Sequence, residues 1–363
     1  MNRIIRIGSR DSKLALIQTQ LVIDSIKRHH PEITVELIKM KTTGDKILDR
    51  TLEQIGGKGL FVKELDEALL SGAVDITVHS YKDLPMILSE QLPVVALSKR
   101  ADPRDVLILP QGAEGLETGK PIGCASLRRQ LQLSALFPEN PCKPVRGNVQ
   151  TRLNKLAEGE YGALVLAAAG IERLGLQNRI SRYFSTNEIL PAASQGIIAV
   201  QGRLGEDHSY LEEFNCLESW YVSLAERSFV KSLDGGCTAP VAAFAEVLDD
   251  QISLKGFYYE EGKPLFFAVG ERIGNGGDNH STTDVPGIKL AGKLLCGEGA
   301  IELVAVHAGV HPDDGAILRS VEDYNRQVNL GSGGKFTDEQ LAFNPFTTSG
   351  GDGSDLKRFF HGI

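Results

Sequence analysis

The sequence predicts an α/β protein of two similar lobes followed by a smaller α+β domain. Three observations predict it. Apolar strand patterns and amphipathic helix patterns alternate twice, over residues 1–99 and again over 100–196. That order builds parallel sheets with helices on both faces. A further strand pattern stands at 196–203, and beyond residue 232 alternating strands joined by short turns take over.

Each element has a local cause. "RIIRIGS" (3–9) alternates as a strand and runs into a helix whose Leu14, Ile17, Leu21, Ile23 and Ile26 follow helical spacing until Pro31. "TVELIKM" (34–40) is a second strand. "GGKGLFVKELDEALLSG" (56–72) is a glycine loop opening a helix with Phe61, Leu65, Ala68 and Leu69 on one face. "VDITVHS" (74–80) and "LPVVALSKR" (92–100) are strands. The second set reads "KPIGCAS" strand, "LRRQLQLSALF" helix, "KPVRG" strand, "NVQTRLNKLAEGE" helix and "GALVLAAAG" buried strand, continuing into "IERLGL". The strand at 196–203 can return to the first lobe and make it discontinuous, with a ligand in the cleft near the strand ends.

A helix is expected over about 208–231. "VAAFAEVLDDQISLKGFYY" is two strands joined at Asp249-Asp250, "PLFFAVGERIG" is a third strand, and "GIKLAGKLLCGEGAIELV" is a closing helix. The resulting division is 1–99 with 197–217, then 100–196, then 218–308. Residues 309–363, rich in glycine and serine, read as a low-complexity disordered tail.

Composition narrows the function. The chain has 363 residues, 42% apolar and 24% charged, an ordinary soluble balance. No apolar run approaches a membrane span, and the N-terminus lacks a signal-peptide pattern. The five cysteines (124, 142, 216, 237, 296) form no C-x-x-C pair, which disfavours disulfide frameworks and zinc clusters and suits a reducing cytoplasm. No metal site is expected. A net charge of −8 disfavours nucleic acid. Against it, residues 123–152 carry five cations (Arg128, Arg129, Lys143, Arg146, Arg152) and one acid, Glu139. This is either a solvated helix face or a pocket for a small polyanion.

Five loops carry the candidate chemistry. "GSRDS" sets Arg10 and Ser12 at a helix start, a carboxylate or phosphate site. Lys58 lies in "GGKGLF", which lacks P-loop spacing. "VHSYKDLP" puts Ser80, Lys82 and Asp83 at the end of a buried strand, either as a surface turn or as a carboxyl group that handles protons. "ASLRRQ" and "VRGNVQTR" start helices with arginines, where the dipole and the guanidinium both favour an anion. Gly147 there lets backbone approach a ligand. Cys237, in "SLDGGCTAP", is either a small buried hydrophobe or a thiol exposed on a glycine loop. The residues alone leave that choice open.

"HSYKDLP", "ASLRRQ", "VRGNVQTRL", "GEYGALVLAAAGIERLGL", "LPAASQG" and "LDGGCTAP" occur in one order. Together they resemble the porphobilinogen deaminase (hydroxymethylbilane synthase) family over about residues 3–308. The resemblance implies two lobes like those of type II periplasmic binding proteins and a third domain carrying the cysteine loop. It implies a cytoplasmic monomeric transferase of tetrapyrrole (haem-type) biosynthesis that condenses four porphobilinogen molecules and releases four ammonia. Its product would pass to a uroporphyrinogen-III synthase. A dipyrromethane cofactor would be tethered through Cys237.

By motif position, the resemblance makes Asp83 the catalytic carboxylate. Arg10, Ser12, Lys58, Ser80, Lys82, Ser126, Arg128, Arg129, Arg146, Gly147, Arg152, Arg173 and Gln195 would bind cofactor and substrate. One departure is "GCASLRR": Cys124 and Ala125 stand where the family commonly has hydroxyl residues, which leaves Ser126 and puts a second thiol near the cleft. Two other classes compete. A non-catalytic two-lobe binder of an anionic metabolite fits the bare lobe pattern, and a cysteine hydrolase is opposed by the lack of a partnered histidine.

Overall fold

The computed structural model describes residues 3–46, 62–233, 239–248, 251–260, 263–272, 288–296 and 299–308. The chain begins with β1 (Ile4–Arg10), α1 (Lys13–His29), β2 (Thr34–Met40), the one-turn α2 (Thr43–Lys46), α3 (Lys63–Leu70), β3 (Ile76–Ser80) and β4 (Val94–Leu97). It crosses to a second sheet through β5 (Asp105–Ile108), β6 (Ile122–Gly123), α4 (Leu127–Leu136), β7 (Cys142–Lys143), α5 (Val149–Ala157), β8 (Ala163–Ala167), α6 (Ala168–Arg173) and β9 (Arg182–Tyr183). It then crosses back as β10 (Ile198–Gly202).

The two five-stranded sheets share one plan. Their orders are β2-β1-β3-β10-β4 and β7-β6-β8-β5-β9. In each, the strand in fourth place is the one that has just crossed from the other lobe. That strand runs antiparallel to its neighbours, β10 against β3 and β4, and β5 against β8 and β9. Both sheets are therefore mixed, not purely parallel, because a strand arriving from the opposite lobe enters in the reverse direction. The short β5 and β9 escape the sequence reading; β5 is a fully buried run of four residues.

Each lobe has its own core. In the first, Ile5, Ile7, Ile76, Val78 and Val200 of the sheet meet Val22, Ile23 and Ile26 of α1. In the second, Val106, Ile108, Leu164 and Leu166 meet Leu153 and Leu156 of α5. Ser12 caps α1, its hydroxyl accepting from the Ala15 amide at 3.3 Å.

The two crossing segments lie side by side. Ser98 donates its amide to the Ile198 carbonyl at 2.9 Å, and Ala101 donates to the Gly196 carbonyl at 3.2 Å. Gly196 has φ +94°, and an added Cβ would stand 2.5 Å from the Ala101 oxygen, so only glycine fits this close approach.

A helical turn at Ser209–Phe214 leads to α7 (Leu217–Ser232), which joins the lobes to the third unit. There β11 (Val241–Leu248), β12 (Gln251–Glu260) and β13 (Lys263–Arg272) form an antiparallel sheet, with Leu248 opposite Gln251. Buried α7 residues Val222, Ala225 and Phe229 pack between Leu84 and Leu97 of the first lobe and Val241, Ala243 and Leu254 of this sheet. Leu190 of the second lobe packs on Phe244 and Phe257.

The helix expected at the end of this unit does not form. β14 (Ile288–Cys296) and β15 (Gly299–Ala308) pair antiparallel instead, with Cys296 opposite Gly299. Gly292 disfavours a helix over this run. The expected tail, 309–363, lies outside the described residues.

Buried polar groups lock this junction. Glu226 of α7 is fully buried and accepts from Arg100 at 2.7 Å, from the Ser194 amide at 2.6 Å and from the Ala245 amide at 2.6 Å. One carboxylate thus ties together both crossing segments and β11. Arg227, also buried, donates to the carbonyls of Tyr81, Leu84 and Pro85 and stacks on the Tyr81 ring at 4.4 Å. It holds the turn after β3 in place.

Candidate functional site

The turn after β3 carries Lys82 and Asp83. Asp83 is exposed, and Lys82 is partly buried. Facing them from the second lobe is the start of α4. Its Arg128 and Arg129 are nearly inaccessible, at 3% and 6% exposure. Two arginines in the first turn sit at the positive end of the helix dipole, an arrangement suited to anions.

Asp105, the first residue of β5 and fully buried, organises them. Arg128 donates to its Oδ2 at 2.9 Å and Arg129 to its Oδ1 at 2.7 Å. Each arginine also holds a backbone carbonyl, Leu190 at 2.6 Å and Val165 at 3.2 Å. Burial alone would raise the Asp105 carboxyl; the two guanidiniums overcome it and hold it far below the usual carboxylate range. The Nε–H of Arg128 and of Arg129 makes no hydrogen bond among the described residues. Buried donors of this kind call for an acceptor.

Gln195 links this group to the first lobe. Its Nε2 donates to Asp105 at 2.9 Å and to the Pro103 carbonyl at 2.7 Å, and its Oε1 accepts from Lys82 at 3.1 Å. Burial, reinforced by Arg129 and Arg128 and opposed by Asp83 and Asp105, brings the Lys82 ammonium down to about 8. Arg152 is drawn down to about 10 by burial, with Arg129 and Arg146 adding to it and Asp83 opposing. Its Nε donates to the Gly147 carbonyl at 2.9 Å. Gly147 has φ +103°, and a Cβ there would press on Thr151 at 2.7 Å.

Lys82, Asp83, Arg128, Arg129, Arg146, Arg152 and Gln195 therefore come together between the lobes. Arg10 and Ser80 end the neighbouring strands β1 and β3. The Ser80 hydroxyl is bonded to Gln18 at 2.9 Å, and Arg10 helps keep buried His79 neutral, mainly an effect of burial. Ser126 occupies the cap position of α4 without a side-chain cap bond. Arg173 reaches instead to the Gly196 carbonyl at 2.6 Å, and burial lowers it to about 10. Lys58 and Cys237 lie outside the described residues.

The second thiol is not a free group in the cleft. Cys124 is fully buried in the core with Leu107, Ile122 and Leu133, its sulfur 3.6 Å from the Ser126 carbonyl. The neighbouring Cys142, aided by Arg129, draws its thiol down from the usual range. The sequence reading also misses Asp105, Arg100, Glu226 and Arg227. An acid opening the apolar run "DVLIL" is the one local sign of Asp105.

Among the described residues no group of three His, Cys, Asp or Glu side chains could hold a metal, and no helix is long and apolar enough to cross a membrane. What the site offers is cations, oriented donors and one exposed carboxylate.

Comparison with known proteins gives a consistent result. Residues 5–211 match the family model "Porphobilinogen deaminase, dipyromethane cofactor binding domain", and 220–295 match "Porphobilinogen deaminase, C-terminal domain". A porphobilinogen deaminase of Ruminiclostridium cellulolyticum is 63% identical over 257 residues, 71% of this chain and 87% of that protein. One of Acetivibrio thermocellus is 54% identical over 296 residues, 82% of this chain and 99% of that one. One of Chromobacterium violaceum is 44% identical over 260 residues, 70% and 84%. Among solved structures, the periplasmic VFT2 domain of Bordetella pertussis BvgS is similar at a TM-score of 0.36 and 14% identity, covering 59% of this chain and 85% of that one. The sheet orders above, not that distant likeness, carry the fold.

Proposed function

Because the chain belongs to the porphobilinogen deaminase family, we propose that the cationic site between its lobes is where porphobilinogen is condensed. The protein is a transferase, a hydroxymethylbilane synthase, that joins four porphobilinogen molecules into the linear tetrapyrrole hydroxymethylbilane and releases four ammonia. A non-catalytic two-lobe binder is not favoured, since both halves of the match are to the deaminase.

One observation carries the reading of the site: two buried arginines with unused Nε donors stand opposite an exposed carboxylate whose charge reaches Arg129, Arg152 and Lys82. Porphobilinogen brings an acetate and a propionate on each ring, and guanidiniums suit carboxylates. The donor set therefore fits a dipyrromethane, whose side chains are the same acids. Arg128, Arg129, Arg146 and Arg152 would hold those acids, with Arg10, Ser12, Ser80, Lys82, Ser126, Gly147, Arg173 and Gln195 completing the surface and Lys58 and Cys237 contributing from outside the described residues. Bound through Cys237, the cofactor supplies the nucleophilic pyrrole carbon from which the chain grows.

The residues of this chain do the rest. Asp83 faces the incoming aminomethyl pyrrole. As ammonia leaves, its carboxylate stabilises the positive charge left on that ring, and it then assists loss of the ring proton after bond formation. The arginines neutralise the acids and fix each ring's orientation. The division at 99/100, 196/197 and 217/218 follows the same reading. So do a cytoplasmic monomer and delivery of the product to a uroporphyrinogen-III synthase. Incubation with porphobilinogen should release one ammonia per porphobilinogen consumed, with a tetrapyrrole as the accumulating product; binding without ammonia release would sink the reading.

A further inference from the structure

We propose that Asp105 is a positioning residue: it locks Arg128, Arg129 and the Gln195 amide into one buried group, and through Gln195 it sets Lys82 beside Asp83. The inference rests on the preceding reading that these cations receive the carboxylates of porphobilinogen.

The bond pattern leaves little freedom. Three N–H donors converge on the two oxygens of Asp105, from Arg128 Nη2, Arg129 Nη2 and Gln195 Nε2. The Gln195 amide has one consistent orientation. An ammonium only donates, so Oε1 must face Lys82, and Nε2 then faces the Asp105 and Pro103 oxygens. Each arginine spends one N–H of each Nη group on these bonds, which pins the guanidinium while its Nε–H stays unbonded among the described residues.

Asp105 thus fixes which face of each guanidinium is presented. It also sets charge: a buried carboxylate between two guanidiniums and an ammonium leaves a net positive site without concentrated repulsion. The group bridges the lobes, since Asp105 and the arginines belong to the second and Lys82 to the first.

Asp105→Asn keeps the shape and removes the charge. Asparagine brings its own N–H groups to a place where three donors already converge, so at least one of the three must turn away. Among the charged groups acting on Lys82 are Asp83 on its own turn, Arg128 and Arg129 on α4, and Asp105 on β5. Removing the last takes away a negative charge, so the Lys82 ammonium should titrate lower still.

The test uses the cofactor-loaded protein and two readouts. In Asp105→Asn, kcat/KM for porphobilinogen should fall on the order of 100-fold. The Lys82 titration, followed by NMR of its Cε, should move down by about one pH unit. Gln195→Met cuts the link and leaves the Asp105–arginine contacts, and should move the Lys82 titration in the same direction. A folded Asp105→Asn protein with wild-type kcat/KM and wild-type Lys82 titration overturns the proposal. If that variant does not fold, an unchanged Lys82 titration in Gln195→Met overturns it. The NMR arm needs no substrate, so a wild-type protein inert toward porphobilinogen would refute the preceding reading and still leave Asp105 judged.

Discussion

Asp83→Asn should lower turnover by about 10²–10⁴-fold with little change in KM. Asparagine has nearly the same shape, and the arginines proposed to hold the substrate acids stay in place. What disappears is the negative charge beside the ring that becomes cationic when ammonia departs. The effect should therefore appear in kcat. The turn itself should survive, because Arg227 holds it through the carbonyls of Tyr81, Leu84 and Pro85, not through Asp83. Steady-state kinetics on the folded, cofactor-loaded variant checks this. Near-normal kcat would remove Asp83 from the chemistry.

The second large effect is on stability. Arg100→Ala should destabilise the protein by about 3–5 kcal/mol, because it leaves Glu226 buried without its cation. For a chain of this size that lowers the melting temperature by roughly 5 °C. The loss should depend on pH. Burial already raises the Glu226 carboxyl, against the opposing pull of Arg100. Without Arg100 it rises further. A folded pKa above the unfolded one gives stability that is full below the unfolded value and is lost as pH rises through the folded value. The deficit of Arg100→Ala should thus be small near pH 5 and grow toward pH 8. Glu226→Gln removes the titrating group, so its own deficit should not grow with pH but shrink, because the wild type alone loses stability as its raised carboxyl ionises. Thermal melts of both variants across the range decide this, and a pH-independent Arg100→Ala deficit would contradict the account.

How much of this was legible beforehand follows from where the information sits. Strands β1, β2 and β3 and helix α1 are local patterns, since strict alternation or helical spacing shows within a dozen residues. The 288–308 hairpin departs from its local pattern: Leu, Ala and Lys favour a helix, while cross-strand pairing outweighs that preference. Lys82, Asp83, Arg128, Arg129 and Arg152 stand in short motifs and were readable as candidates. Asp105 and Glu226 were not. Their partners lie 23 to 90 residues away for Asp105 and 19 to 126 for Glu226, so no short window of sequence contains the contacts. The residues proposed to contact substrate lie in recognisable loops. Those that position them are visible only after folding.

The central claim is a transferase that carries its primer covalently. The most direct test is the intact mass of the purified protein beside that of Cys237→Ser. The wild type should be heavier than its sequence by two linked pyrrole rings, and the variant should match its sequence. A wild-type mass equal to the sequence, or the same added mass on Cys237→Ser, would contradict the account.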